Sequence, residues 1–149
     1  MKRTSIILSL AAVIFLVSCD KKSSGTEFDF SNSLTPYVTL RNTDTVDALE
    51  GDSVSLSVGM RTAFQQNVTV YYNVSAPVNL TDQTIVIGRN LLRAAGKFKI
   101  GEGIVTDPSG SENADVILTK AVTDDGTLLT LGRYNDPSSQ TLDVVISKP

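Results

Sequence analysis

The chain has 149 residues, with 13 Lys and Arg against 16 Asp and Glu, no histidine, no tryptophan and one cysteine. A net charge of −3 argues against a nucleic-acid partner, which requires clustered cationic groups that displace phosphate counterions. The lack of histidine excludes Ser-His-Asp and Cys-His catalysis and removes the commonest zinc and copper ligand, and a single thiol excludes an intrachain disulfide.

The first element is an export signal. Lys2 and Arg3 precede an apolar run, Ile6 to Val17 (IILSLAAVIFLV), which has the length of a signal-peptide core and falls short of the roughly 20 helical residues that cross a bilayer. The residues Leu16-Val17-Ser18-Cys19 that follow resemble the lipobox of bacterial lipoproteins. That resemblance implies cleavage after residue 18 and lipidation of Cys19, whose thiol takes a lipid as a stable thioether. Several acyl chains at one residue satisfy the need for more than one anchoring signal. The alternative is an unmodified cysteine behind an ordinary signal peptide. Removal of residues 1–18 leaves 131 residues, enough for one domain, and takes away two positive charges, so the formal charge moves to about −5.

Residues 19–33 are expected to form a tether. Asp20 to Ser33 (DKKSSGTEFDFSNS) is polar and Ser/Gly-containing, as in flexible spacers. Phe28 and Phe30 alternate with Asp29 and equally suit the start of a first strand.

Residues 34–149 read as one β-sandwich domain. Apolar and polar residues alternate in VSLSV (Val54 to Val58) and VTVYYNV (Val68 to Val74), which places Val68, Val70, Tyr72 and Val74 on one face and Tyr71 on the other. Further strands are expected at Tyr37–Leu40, Thr84–Ile87, Phe98–Ile100, Asp115–Val122, Leu128–Leu131 and Leu142–Ile146. The turn signals EGDS, DDGT and NDPSS punctuate them. Seven or eight short strands indicate an all-β, antiparallel, immunoglobulin-like sandwich. RNLLRAA, Arg89 to Ala95, is the one segment with helical character.

LEGDSVSLSV and QNVTVYYNVSA, Leu49 to Val58 and Gln66 to Ala76, resemble Calx-β-like and related immunoglobulin-like modules. The resemblance extends loosely from Thr35 to Ser147 and is a pattern of strands. Signal, tether and sandwich together resemble small envelope lipoproteins of Gram-negative bacteria, which implies an outer-membrane location. The mixed signs of Asp20-Lys21-Lys22 leave open whether the domain faces the periplasm or the exterior.

Some Calx-β modules bind calcium through acidic loops at one end, so the resemblance raises calcium as a possible cofactor. Calcium needs six to eight oxygen ligands. Asp124 and Asp125 supply two carboxylates without the D-x-D-x-D-G spacing, and Asp125-Gly126 suits a type I′ hairpin turn. Glu50 and Asp52 join them only if both loops lie at the same end of the sandwich.

Catalysis is not expected. A carboxylate pair or a Ser-Lys pair remains chemically open, but the acids sit in turn contexts (Asp107-Pro108, Asp124-Asp125, Asp136-Pro137) and no S-x-x-K occurs in the mature domain. Ligand contact is open at Tyr71, an aromatic on an exposed face, with Tyr37 and Tyr134 as further candidates of unknown position; all four tyrosines equally suit strand structure. Strand addition at a sheet edge is a third mode of partnering, generic to sandwiches. Three N-x-[ST] matches, at Asn67, Asn73 and Asn79, are chance in so Ser/Thr-rich a chain. Asp44-Thr45-Val46 and Asp52-Ser53-Val54 resemble an envelope-protein O-glycosylation acceptor, which implicates Thr45 and Ser53, and also suit ordinary turns leading into strands. The expectation is a membrane-tethered, non-catalytic binding or assembly module with an envelope protein or glycan as partner; the alternative is a polysaccharide-binding accessory of a nutrient-uptake system.

Overall fold

The computed structural model of the chain describes residues 35–107 and 110–149. Cys19, the signal segment 1–18, the tether 19–33 with Phe28 and Phe30, and Pro108 lie outside the described residues.

Nine strands form among the described residues: β1 (Tyr37–Leu40), β2 (Val46–Leu49), β3 (Ser53–Met60), β4 (Val68–Val74), β5 (Leu80–Ile87), β6 (Arg93–Lys99), β7 (Ser111–Thr123), β8 (Thr130–Leu131) and β9 (Thr141–Ser147). They make a four-stranded sheet in the order β6-β3-β1-β8 and a five-stranded sheet in the order β2-β9-β7-β4-β5. The all-β sandwich read from the alternation is therefore the observed architecture. In β4 the alternation is complete: Val68, Val70, Tyr72 and Val74 are buried while Thr69, Tyr71 and Asn73 lie on the outer surface. The inward rows of both sheets, including Val38, Leu56, Val58, Val116, Val144 and Ile146, merge into one apolar core. Burying each such side chain contributes about 1.5–3 kcal/mol before entropy is counted.

Three features depart from the sequence reading. Most neighbouring strands are antiparallel, but β1 pairs with β8, and β2 with β9, in parallel. The chain switches sheets between β1 and β2, so each short strand lands beside a partner running the same way. Second, β2 was not expected, because VDAL carries little alternation and half of it is exposed.

Third, RNLLRAA forms no helix. Leu91 N–H donates to the Gly88 carbonyl in a tight turn, Asn90 takes a positive φ of 62°, and β6 begins at Arg93. Asn90 N–H is taken by the Phe64 carbonyl, and the Leu92 carbonyl accepts from Met60 N–H. Backbone groups that a helix would have used internally are bound by neighbouring chain, which outweighs the helical propensity of Leu, Arg and Ala.

The two ends of the sandwich follow from the register. Ser53 at the start of β3 pairs with Lys99 at the end of β6. Val68 at the start of β4 pairs with Thr123 at the end of β7. Because a short connection joins the end of β3 to the start of β4, these pairs mark opposite ends, separated by roughly 25 Å, the length of an eight-residue strand.

Candidate functional site

Tyr71 and Tyr72 fall on opposite faces as their spacing requires. Tyr72 is 2% exposed, and desolvation raises its phenol pKa. Tyr71 stands on the outer face of the five-stranded sheet, opposite Lys120 of β7, whose Nζ lies 4.5 Å from the ring centroid. A one-residue irregularity in the β7 register between the partners of Tyr71 and Tyr72 marks a bulge that aims Lys120 at this ring. The cation occupies one face of the Tyr71 ring.

The acidic residues do not converge. Glu50 and Asp52 lie at the β3-start end, where Glu50 Oε1 accepts from Val105 N–H and Asp52 Oδ2 accepts from Leu49 N–H. Asp124 and Asp125 lie at the opposite end and latch two loops together. Asp124 Oδ2 accepts from both the backbone N–H and the side-chain amide of Asn67. Asp125 Oδ1 accepts from the Thr123 hydroxyl and Thr127 N–H, and its Oδ2 accepts from Gln66 Nε2. The Thr123 hydroxyl foremost, then Gln66 and Thr127, hold the Asp125 carboxyl well below the usual carboxylate range.

The turn itself differs from the type I′ expectation. Gly126 N–H donates to the Thr123 carbonyl and only Gly126 has a positive φ, so Asp124-Asp125-Gly126 is a three-residue loop closed by a left-handed glycine. Among the described residues no three acidic side chains are grouped to hold a cation. The donor set does not fit calcium: its carboxylates are split between the ends, and those of Asp124 and Asp125 are engaged by amides and hydroxyls. Thr45 and Ser53 are both exposed, Thr45 just before β2 and Ser53 at the first position of β3.

What the sequence could not locate is the relation between Tyr37 and Tyr134. The parallel pairing of β1 with β8 sets Tyr37 opposite Thr130. The chain leaving β8 then folds back against β1: Gly132 N–H donates to the Val38 carbonyl, and the Thr39 hydroxyl donates to the Ser139 carbonyl at 2.8 Å. Between these ties, two short 3-10 turns, Arg133–Asn135 and Pro137–Ser139, present Tyr134 at the surface. The rings of Tyr37 and Tyr134 are 6.2 Å apart with planes inclined at 47°, and the Arg133 guanidinium carbon is 5.3 Å from the Tyr134 ring centroid.

The rings flank a cleft of about 210 Å3 lined by Thr35, Tyr37, Thr130, Tyr134 and Asn135. Enclosed sites for drug-sized ligands run to about 300–1,000 Å3, so this cleft suits one ring of a ligand that otherwise stays at the surface. Tyr134 is 62% exposed, yet its backbone is left-handed, with φ 59° and ψ 31°, and Asn135 follows at φ 62°. A bulky residue there costs about 1–3 kcal/mol, and such strain concentrates at binding sites. Hydrogen bonds from Arg133 N–H to the Ser139 hydroxyl, and from Ser138 N–H to Asp136 Oδ1, hold the loop in this form. Sequence reasoning named both tyrosines but passed over Arg133, Asn135, Thr35 and Thr130. The dense turn signals of LGRYNDPSS were the only local mark of Arg133 and Asn135, and Thr35 and Thr130 carried none.

No protein-family model and no curated sequence matches the chain. Among solved structures it is similar to the apo form of the Calx CBD1 domain, with a TM-score of 0.56 and 10% identity over 78% of this chain and 99% of that one. It is also similar to CBD12 from CALX1.2, with a TM-score of 0.48 and 12% identity over 75% of this chain and 44% of that one. At such identity the first likeness is one of fold, and it agrees with the Calx-β-like sandwich read from the strand pattern.

Proposed function

We propose that this protein is a lipid-anchored cell-envelope component whose sandwich is a non-catalytic binding module, with the Tyr37–Tyr134 cleft as its ligand site. The observation that carries the reading is the pairing of half-buried Tyr37 of β1 with exposed Tyr134 on a strained, hydrogen-bonded loop. Two rings beside a threonine hydroxyl and an asparagine amide form a surface that stacks a flat or ring-shaped group and hydrogen-bonds its rim. The anchor rests on Cys19 and its flanking residues, and outer-membrane residence on the lipobox resemblance.

A specific observation favours a second, finer reading, polysaccharide capture in a nutrient-uptake system. Sugar rings present an apolar face to an aromatic and hydroxyls to polar neighbours, and the cleft has both within one ring's reach. Without tryptophan, emission comes from four tyrosines, two of which flank the cleft, so a ligand there changes a large share of it. Titration of the full-length, detergent-solubilised protein with polysaccharides should change that emission, and Tyr134→Ala should abolish the change. A saturable signal that survives Tyr134→Ala removes the cleft from the proposal. For the anchor, Cys19→Ala should shift the protein out of the membrane fraction or leave it unprocessed. A variant held as firmly as wild type overturns lipidation.

A further inference from the structure

The outer face of the four-stranded sheet continues from the tyrosine cleft and carries one sign of charge. Its strands, YVTL, SVSLSVGM, RAAGKFK and TL, contain no carboxylate. The strands of the five-stranded sheet hold Asp47, Asp82, Glu112, Asp115 and Asp143 against a single cation, Lys120. A chain that is acidic overall therefore has one sheet whose only charged strand residues are cationic.

Arg93, Lys97 and Lys99 project outward and exposed from β6, and the register sets Ser55 directly opposite Lys97 and Ser53 opposite Lys99. Each of these two ammonium groups thus has a hydroxyl-bearing neighbour with Cβ about 5 Å away, and Lys97 and Lys99 recur about 7 Å apart along the edge. A fourth cation comes from the chain after β1. The side chain of Arg41 lies across Gly59, where a Cβ would stand 2.5 Å from Arg41 Cδ, and Gly59 is itself paired with Arg93. Tyr37 shares this outer face from β1. Val38 pairs with Met60 and Gly59 with Arg93, so Arg93 stands near the level of the cleft, two strand spacings or about 10 Å from β1. Lys97 and Lys99 lie about 13 and about 20 Å farther along β6.

We infer that this face binds a polysaccharide bearing anionic groups, with one sugar ring against the tyrosine cleft and the acidic groups of the residues that follow it in the polymer running along the Arg93–Lys99 edge, over about 20 Å. The inference rests on the sugar reading of the cleft and adds its charge. Alternating ammonium and hydroxyl groups suit a polymer that offers both carboxylates and hydroxyls. A flat face with one partner row for each serves an extended chain better than a compact anion.

The test compares polygalacturonate, ionised at neutral pH, with its methyl-esterified and therefore neutral form, using the full-length protein in detergent at low ionic strength. Wild type should prefer the acid polymer by about tenfold, the combined effect of several exposed charge pairs. Lys97→Gln/Lys99→Gln, at two exposed positions, should remove most of that preference, the remainder resting on Arg93 and Arg41, with ester binding unchanged. Tyr134→Ala should weaken both. Equal affinity of wild type for the two polymers overturns the charge inference and leaves the sugar reading standing; binding to neither overturns both. Adsorption to phosphatidylglycerol vesicles that the double lysine variant loses, without polygalacturonate binding, would assign the face to an anionic membrane surface instead and also overturn the inference.

Discussion

The ring of Tyr134 sits 6.2 Å from that of Tyr37, a residue 97 positions earlier in the chain. The link between them is the backbone: a parallel pairing of only two residues in β1 and β8, then a loop returned against β1 by the Gly132 and Thr39 hydrogen bonds. The geometry of the cleft therefore depends on residues that never touch a ligand.

Gly132 is the most sensitive of these. Its φ is 76°, and a Cβ there would approach the Asp136 carbonyl oxygen to 2.4 Å and Gln140 Nε2 to 2.7 Å. Gly132→Ala should destabilise the domain by about 2–3 kcal/mol, combining left-handed strain with the clash. Urea denaturation reads the loss as a lower midpoint. An unchanged midpoint would mean that the loop relaxes freely and that the cleft is not held in place.

Tyr134 separates strain from contact. Asparagine tolerates the left-handed region better than alanine, so Tyr134→Asn should be more stable than Tyr134→Ala by about 0.5–1 kcal/mol. Both should lose the tyrosine-emission response to polysaccharide. Thermal melts of the two variants side by side check the order, and the reverse order would mean that the strained backbone is not retained.

The Asp125 latch has a defined pH dependence. Its carboxyl pKa is lowered in the folded protein by the Thr123 hydroxyl, Gln66 and Thr127, so the folded state holds fewer protons there than the unfolded chain as pH falls. The contribution is fully present above the unfolded value of about 3.9 and is lost as pH falls below it toward the folded value. Asp125→Asn should therefore be less stable than wild type at neutral pH, with the gap closing below about pH 4. Chemical denaturation at a series of pH values measures this, and a gap independent of pH would contradict it.

Calcium should leave the domain's stability unchanged, because the four acids considered for it lie at two ends of the sandwich. Melting in EDTA and in millimolar calcium should give the same midpoint. A midpoint that climbs with the logarithm of calcium concentration would reveal a site that these acids do not form.

The closeness of the sheet edges is set at Gly96, where a Cβ would meet Ile85 Cγ1 at 2.6 Å. Gly96→Ala should cost about 1–3 kcal/mol through overpacking, and Ile85→Val, which removes the Cδ1 that such a Cβ would also meet at 2.9 Å, should recover part of that loss. Strict additivity in the double-mutant cycle would show that the two residues do not press on each other.

Much of this molecule is legible in one dimension. Alternation over VTVYYNV and VSLSV assigns β4 and the heart of β3, buries Tyr72 and turns Tyr71 to the outer face, because adjacent residues of a strand point to opposite faces whatever their partners. The missing histidine and the lone cysteine restrict the available chemistry before any fold is known. Pairing is a different matter. VDAL becomes a strand, and RNLLRAA a turn followed by a strand, because distant segments bind their backbone groups. Local preference is worth tenths of a kcal/mol per residue, whereas leaving a buried backbone group without a partner costs about 1–3 kcal/mol, so long-range pairing decides. The same holds for function. Tyr37, Tyr134 and the cations of β6 are plain in the sequence, but only strand order and register put two rings around one cleft and the charges on the same outer face, while separating Glu50 and Asp52 from Asp124 and Asp125.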